Sequence, residues 1–272
     1  MPELPEVETT KNGIAPHILN KTISAIEIRQ PQLRWPIPAE VSEKLPNQTV
    51  RDVTRRGKYI GVHTDAGTLI IHLGMSGSLY FVEPNTPPLF HDHVDIHFGA
   101  QSPVLRYTDP RRFGAMMWQE GNWTDHELLN HLGPEPLTQA FNVDYLYAKT
   151  RGRKQAIKQF IMDSKVVVGV GNIYANEALF MAGIRPTRAA GNISKARLAV
   201  FVEKIKLVLA AAIEQGGTTL RDFIGGDGKP GYFKQELKVY GRAEQPCRVC
   251  QTPLKEIRQG QRSTVYCVQC QK

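Results

Sequence analysis

From about residue 20 to 118 the apolar positions fall in short, closely spaced runs. Ile23-Ser24-Ala25-Ile26-Glu27-Ile28 and Val94-Asp95-Ile96-His97-Phe98 alternate with a period of two, as strands with one buried face do. Thr68-Leu69-Ile70-Ile71-His72-Leu73 is a more continuous apolar run, and Asp65-Ala66-Gly67 and Glu83-Pro84-Asn85 supply turn signals between runs. Many short strands at this spacing predict an antiparallel sandwich or barrel. After Leu132-Gly133-Pro134-Glu135-Pro136, which reads as a boundary, the pattern turns helical. Leu198, Phe201, Ile205, Val208 and Ala212 repeat at helical spacing, with Gly216-Gly217 as the stop. Asn172 is expected to cap another helix, running through Tyr174 to Leu179. Gly225-Gly226-Asp227-Gly228-Lys229-Pro230-Gly231 is too rich in glycine for regular structure and predicts a mobile loop. The fold class is α+β.

The first eight residues, Met1-Pro2-Glu3-Leu4-Pro5-Glu6-Val7-Glu8, support two compatible readings. One is a helix start, with Pro5 at an early helical position and Glu6 and Glu8 at the positive end of the dipole. The other is chemical. Trimming of Met1 before the small second residue leaves Pro2 with a free secondary amine. Such an α-amino group has a pKa of about 7.7–8.0, well below the roughly 10.4 of lysine, so much of it is nucleophilic at neutral pH. Its attack on a sugar C1′ or a carbonyl gives an iminium ion. Glu3 stands beside it as a carboxylate able to move protons or steady positive charge.

Length suggests two domains and an appended module, since 272 residues exceed one small domain. No apolar run approaches the ~20 residues of a membrane span, and the acidic N-terminus does not read as a signal peptide; a cytoplasmic protein is expected. A net charge of +8 and a pI near 9.3 favour a polyanionic partner. All four cysteines lie near the C-terminus, as Cys247-x2-Cys250 and Cys267-x2-Cys270. That spacing is a four-thiolate zinc site with no open position, so the metal is structural. Lys255, Arg258 and Arg262 between the pairs would hold positive charge against a phosphate backbone, although a protein-binding zinc ribbon also suits them.

Three further stretches carry candidate chemistry. Arg55-Arg56-Gly57-Lys58-Tyr59 places two arginines and a lysine just before an apparent strand, which in isolation reads as a solvated basic turn. Asp109-Pro110-Arg111-Arg112-Phe113-Gly114 places arginine and an aromatic in a turn, suited to stacking into an opened duplex unless Phe113 packs inward. His72-Leu73-Gly74-Met75-Ser76-Gly77 either projects Met75 or buries it. Gly169-Val170-Gly171-Asn172 fails the dinucleotide fingerprint, because Tyr174 stands where its last small residue belongs.

Together these motifs, in order from residue 2 to residue 270, resemble those of bacterial formamidopyrimidine-DNA glycosylases. The resemblance implies an N-terminal antiparallel β-sandwich over residues 1–132, a helix–two-turns–helix domain over 133–232 and a zinc-finger hairpin over 238–272, with DNA in a cleft. It implies a monomer acting on double-stranded DNA that carries oxidised purines or abasic sites, with one structural zinc ion and no catalytic cofactor. It assigns Pro2 as the nucleophile, Glu3 as its acid–base partner, Lys58 to proton transfer in elimination, and Arg262 to phosphate contact and the second elimination. Met75, Arg111 and Phe113 would fill the hole left by the extruded base. His72, His91, Arg153, Lys158, Asn172 and Tyr240 would hold the DNA backbone or approach the lesion. The loop from about Thr218 to Tyr232 would close over the flipped base. The rivals are the sister glycosylase for oxidised pyrimidines, disfavoured by Leu4 and Arg111-Arg112-Phe113, and a non-catalytic zinc protein that binds damaged DNA.

Overall fold

The computed structural model describes residues 2–216 and 237–272; the expected Gly225–Gly231 and Thr218–Tyr232 loops lie outside them. The chain forms two compact units, one containing residues 2–130 and the other residues 131–215 with 237–272.

The first unit opens with helix α1 (Leu4–Ile18), whose Leu4, Val7, Ile14 and Ile18 are buried. Eight strands follow: β1 (Ala25–Ile28), β2 (Asp52–Arg56), β3 (Tyr59–His63), β4 (Thr68–His72), β5 (Ser78–Val82), β6 (Asp92–His97), β7 (Val104–Thr108) and β8 (Ala115–Gln119). They make two antiparallel sheets, ordered β1-β6-β7-β5 and β2-β3-β4-β8. Ile60, Val62, Leu69 and Ile71 of one sheet share a core with Leu79, Val94, Ile96, Leu105 and Tyr107 of the other, and Val7, Ile14 and Ile18 of α1 close it. This is the expected sandwich. A short helix α2 (Ala39–Lys44) interrupts the region read as strands, burying Val41 alone.

The second unit holds α3 (Val143–Thr150), α4 (Ile157–Ile161), α5 (Asn172–Met181) and α6 (Lys195–Glu214). The expected stripe of α6 is buried at Leu198, Phe201, Ile205, Val208 and Ala212, and Gly216 follows its end at φ 79°. Between α4 and α5 the chain makes tight turns, Val166 N–H donating to Asp163 O at 2.9 Å. Asn172 does not cap α5. Gly171 is the N-cap, in an extended conformation, and Asn172 is already the first helical residue. Strands β9 (Lys255–Gln259) and β10 (Arg262–Tyr266) form the C-terminal hairpin. No helix among the described residues is long and apolar enough to cross a membrane.

Candidate active site

A capping box organises the chain start. Glu3 is the N-cap of α1; its backbone N–H donates to Glu6 Oε2 at 2.8 Å, and its carboxylate accepts from the Glu6 amide. Pro2, Glu3 and Glu6 are all buried. One turn on, Glu8 Oε2 accepts from Arg55 Nε at 2.6 Å and Glu8 Oε1 pairs with Lys11 Nζ at 2.8 Å. Burial would raise the Glu8 pKa, but these two cations outweigh it and hold the group below its ordinary value. Arg55 Nη1 also donates to Gly57 O at 2.9 Å. Helix α1 is thereby pinned to the β2–β3 hairpin, whose two-residue turn is Gly57-Lys58. Gly57 sits at φ 59°, a conformation such turns favour in glycine.

The sheet register then sets His72 beside this turn. Tyr59 follows Lys58 and pairs with His72, their rings 4.8 Å apart. His72 Nδ1 accepts from Gly74 N–H at 3.1 Å, which assigns the ring proton to Nε2. Burial first, then the charges of Lys58 and Arg34, push the His72 pKa down to about 4, against a smaller opposing pull from Asp109. At neutral pH the ring is an uncharged donor.

Asp109 joins the two candidate wedge turns. Its buried carboxylate accepts from Ser76 Oγ at 2.6 Å and Arg111 N at 3.3 Å through Oδ1, and from Tyr107 Oη at 3.1 Å and Gly114 N at 2.8 Å through Oδ2. Burial, with Asp109 beside it, raises the Tyr107 pKa well above its ordinary value, so the phenol remains a donor. Gly74 lies at φ 63°, and a Cβ there would come within 2.3 Å of the Phe113 backbone, so only glycine lets the turns meet this closely. What they present is Met75 at 36% exposure and Phe113 at 44%, with the Arg111 guanidinium 4.9 Å from the Phe113 ring centroid. Phe113 does not pack inward. His91 adjoins these turns, its carbonyl accepting from Asp109 N–H at 3.0 Å.

In the second unit, Arg153 is exposed on the loop after α3. Asn172 Oδ1 is buried without a hydrogen-bond partner among the described residues. Tyr240 N–H donates to Glu177 Oε1 at 2.9 Å, and the same carboxylate takes the amides of Lys238 and Val239 at 2.8 and 2.9 Å. Arg262 is exposed at the start of β10, behind a two-residue turn in which Gly260 and Gln261 have φ of 53° and 62°. Lys158 lies on α4. It is 1% exposed, and its ammonium donates to Ser263 O at 2.8 Å and Thr264 Oγ1 at 2.6 Å. Both of these acceptors lie on β10, so the ammonium braces the strand that carries Arg262.

The four cysteine sulfurs lie within 4.8 Å of one another, with Cys247–Cys270 at 3.9 Å and Cys250–Cys267 at 3.4 Å. Tetrahedral zinc with Zn–S bonds of about 2.3 Å requires sulfurs about 3.8 Å apart, so the set fits the ion. Val249 N–H and Cys270 N–H point at Cys247 and Cys267 sulfur at 3.5 and 3.4 Å, supporting the thiolates. The hairpin is a structural zinc site. Glu27, Asp95 and His97 also approach one another, but Asp95 is committed to Arg29 and Arg106.

Asp109 and Glu177 carry roles that sequence motifs alone do not assign. An aspartate before Pro110 is a turn signal, and Glu177 is the one acid in the apolar α5, so both left a trace.

With Met1 removed, a Pro2 amine at this helix start would reach a sugar only if the nucleotide were brought out to it, and the exposed Met75 and Phe113 would suit the gap left behind. These are the requirements of a base-flipping DNA glycosylase. Sequence profiles agree: the formamidopyrimidine-DNA glycosylase N-terminal domain matches residues 1–116, its H2TH domain 132–224, and the zinc finger found in FPG and IleRS 244–272. Relatives named formamidopyrimidine-DNA glycosylase include one from Marinomonas sp., 67% identical over 271 residues, and one from Cellvibrio japonicus, 61% identical over 272, each covering 100% of both chains. Among solved structures, Lactococcus lactis Fpg in complex with DNA containing N7-benzyl-Fapy-dG superposes with a TM-score of 0.92 at 30% identity, covering 100% of both chains. The Thermus thermophilus protein superposes at 0.88 with 32% identity, covering 99% of this chain and 98% of its own. The chain belongs to the formamidopyrimidine-DNA glycosylase family, and it is a DNA glycosylase of base excision repair.

Proposed function

We propose that this enzyme excises oxidised purines, 8-oxoguanine and formamidopyrimidines, from duplex DNA and then cleaves the strand at the abasic site. The observation that carries the reading is the capping box at Glu3, tied through Glu8 and Arg55 to the Lys58 turn. It holds a terminal amine, a carboxylate and a lysine on one rigid frame, as catalytic groups require. After removal of Met1, the Pro2 nitrogen attacks C1′ and the base departs with the glycosidic electron pair and a proton; the C1′–O4′ bond then breaks, O4′ keeping its electron pair and taking a proton, to leave a ring-opened iminium. Glu3 shuttles protons at that centre. Lys58 serves the proton transfers of elimination, in which loss of the C2′ proton expels the 3′ phosphate and a second elimination expels the 5′ phosphate. His72 donates from Nε2 to backbone without adding charge. Met75, Arg111 and Phe113 fill the vacated stack, which offsets the cost of extrusion. His91, Arg153, Asn172 and Tyr240 contact backbone or lesion; the unpaired Asn172 Oδ1 supports its part in this. Arg262 holds a phosphate and serves the second elimination.

Lys158 acts in this scheme by bracing β10. The domains divide at 1–132, 133–232 and 238–272. The protein works as a monomer in the cytoplasm, on nucleoid DNA. The test compares base release and strand ends on duplexes with 8-oxoguanine or an oxidised pyrimidine. Release of the purine, with phosphate at both ends of the gap, supports the reading; preference for the pyrimidine overturns the substrate, and intact strands overturn the lyase step.

A further inference from the structure

The loop before β6 carries two large apolar side chains in water. Leu89 is 74% exposed and Phe90 is 92% exposed, more than any other large hydrophobic residue among those described. Adjacent large apolar side chains held in water offer burial energy to whatever partner covers them. The loop is not loose. Leu89 N–H donates to Asp92 Oδ2 at 2.8 Å and Asp92 N–H to Leu89 O at 3.0 Å. The buried Arg106 guanidinium donates to Thr86 O at 2.9 Å and Pro87 O at 3.2 Å, while Asp95 holds the same guanidinium at 2.8 Å. Pro87 and Pro88 stiffen the approach. A buried charge network thus fixes the backbone that presents an apolar tip.

The tip is continuous with the wedge. The Phe90 ring stands 4.8 Å from that of His91, edge to face, and the His91 carbonyl accepts the Asp109 amide at the base of the Arg111–Phe113 turn. Asp92, which anchors the tip, also accepts from Tyr80 Oη at 3.1 Å and from Thr108 Oγ1, the residue before Asp109. One hydrogen-bonded frame therefore sets both.

We infer that Leu89 and Phe90 form an apolar foot that packs on deoxyribose edges of the duplex beside the wedge, next to the backbone reached by His91. The inference rests on the wedge reading above. The sugar edge is the one apolar surface a duplex backbone offers, and a rigid aromatic tip covers it without needing to find a phosphate.

Fluorescence anisotropy with a duplex carrying a tetrahydrofuran abasic analogue tests this across a salt series. Phe90→Ser should weaken binding roughly three- to tenfold, the loss expected when about half of a Phe side chain's burial is forfeited. The slope of log affinity against log salt should stay as in the wild type, because no phosphate contact is lost; removing one lowers that slope by about one. Phe90→Leu, which keeps apolar bulk, should bind nearly as wild type, and Leu89→Ser should weaken binding in the same manner as Phe90→Ser. Unchanged affinity in Phe90→Ser, or a reduced slope, overturns the inference. So does a wild-type dimer in sedimentation that Phe90→Ser dissolves without loss of DNA affinity, which would make a second copy the occupant. Phe113→Ala on the same duplex separates the readings. If it weakens binding and Phe90→Ser does not, only the foot falls; if neither does, the wedge falls too.

Discussion

Ser76 Oγ donates to Asp109 Oδ1 at 2.6 Å, across 33 residues of chain, and this bond locks the Met75 turn to the Arg111–Phe113 turn. The same carboxylate holds Tyr107 and Gly114, so one buried anion sets the positions of three exposed side chains.

Asp109→Ala should therefore cost more than an ordinary surface change. It strands the hydroxyls of Ser76 and Tyr107 and the Gly114 amide, and buried groups left without partners cost about 1–3 kcal/mol each before relaxation. A net loss of about 3 kcal/mol in urea unfolding is expected, with weakened binding to abasic-site duplex in the folded fraction. Unfolding at the wild-type midpoint would show that the turns stand without the carboxylate.

His72 predicts a pH dependence. Its folded pKa, about 4, lies below the ordinary value of 6.5, so the unfolded chain binds the extra proton between these limits. Stability should rise with pH from about 4 to 6.5 and level off above, with His72 contributing at most about 3 kcal/mol to the total rise, since the ring retains some solvent contact. His72→Gln should flatten that part of the profile. An unaltered profile would mean the ring is solvated and its charge unopposed.

Zinc should be required for the hairpin. Cys250→Ser leaves three thiolates, and structural zinc contributes directly to folding energy. Loss of metal by elemental analysis should accompany at least a tenfold fall in DNA affinity, as Arg262 loses its support. Metal-free protein that binds DNA at full strength would dissociate the finger from recognition.

Lys158→Met should loosen β10. Ser263 O and Thr264 Oγ1 lose a charged donor, and about 2 kcal/mol of stability should go with it. Hydrogen exchange should rise across 262–266 and leave α6 unchanged. Uniform protection would place the bracing elsewhere.

The elements legible in the sequence were those written in local pattern. The two-residue period of β1 and β6, the α6 stripe and the cysteine pairs each specify their neighbours directly. The helix start at Pro5 is borne out by the capping box of α1, which buries Pro2 and Glu3 beside it. What was not legible depended on distant partners. Asn172 has the residue type of a cap, yet Gly171 takes that position and the Asn172 carbonyl instead accepts from Asn176 Nδ2 at 2.6 Å. The burial of Lys158 is not legible locally, because acceptors of its ammonium lie over 100 residues away. Asp109 likewise reads as a turn residue until the second turn is folded against it.

If Pro2 is the nucleophile, borohydride should trap the iminium formed at its nitrogen. The reaction would use a duplex with one 8-oxoguanine opposite cytosine and protein verified by mass to begin at Pro2. A covalent adduct mapped to the Pro2 nitrogen is predicted, absent when the lesion is replaced by guanine. An adduct mapped to a lysine, or none at all from correctly processed protein, would contradict the account.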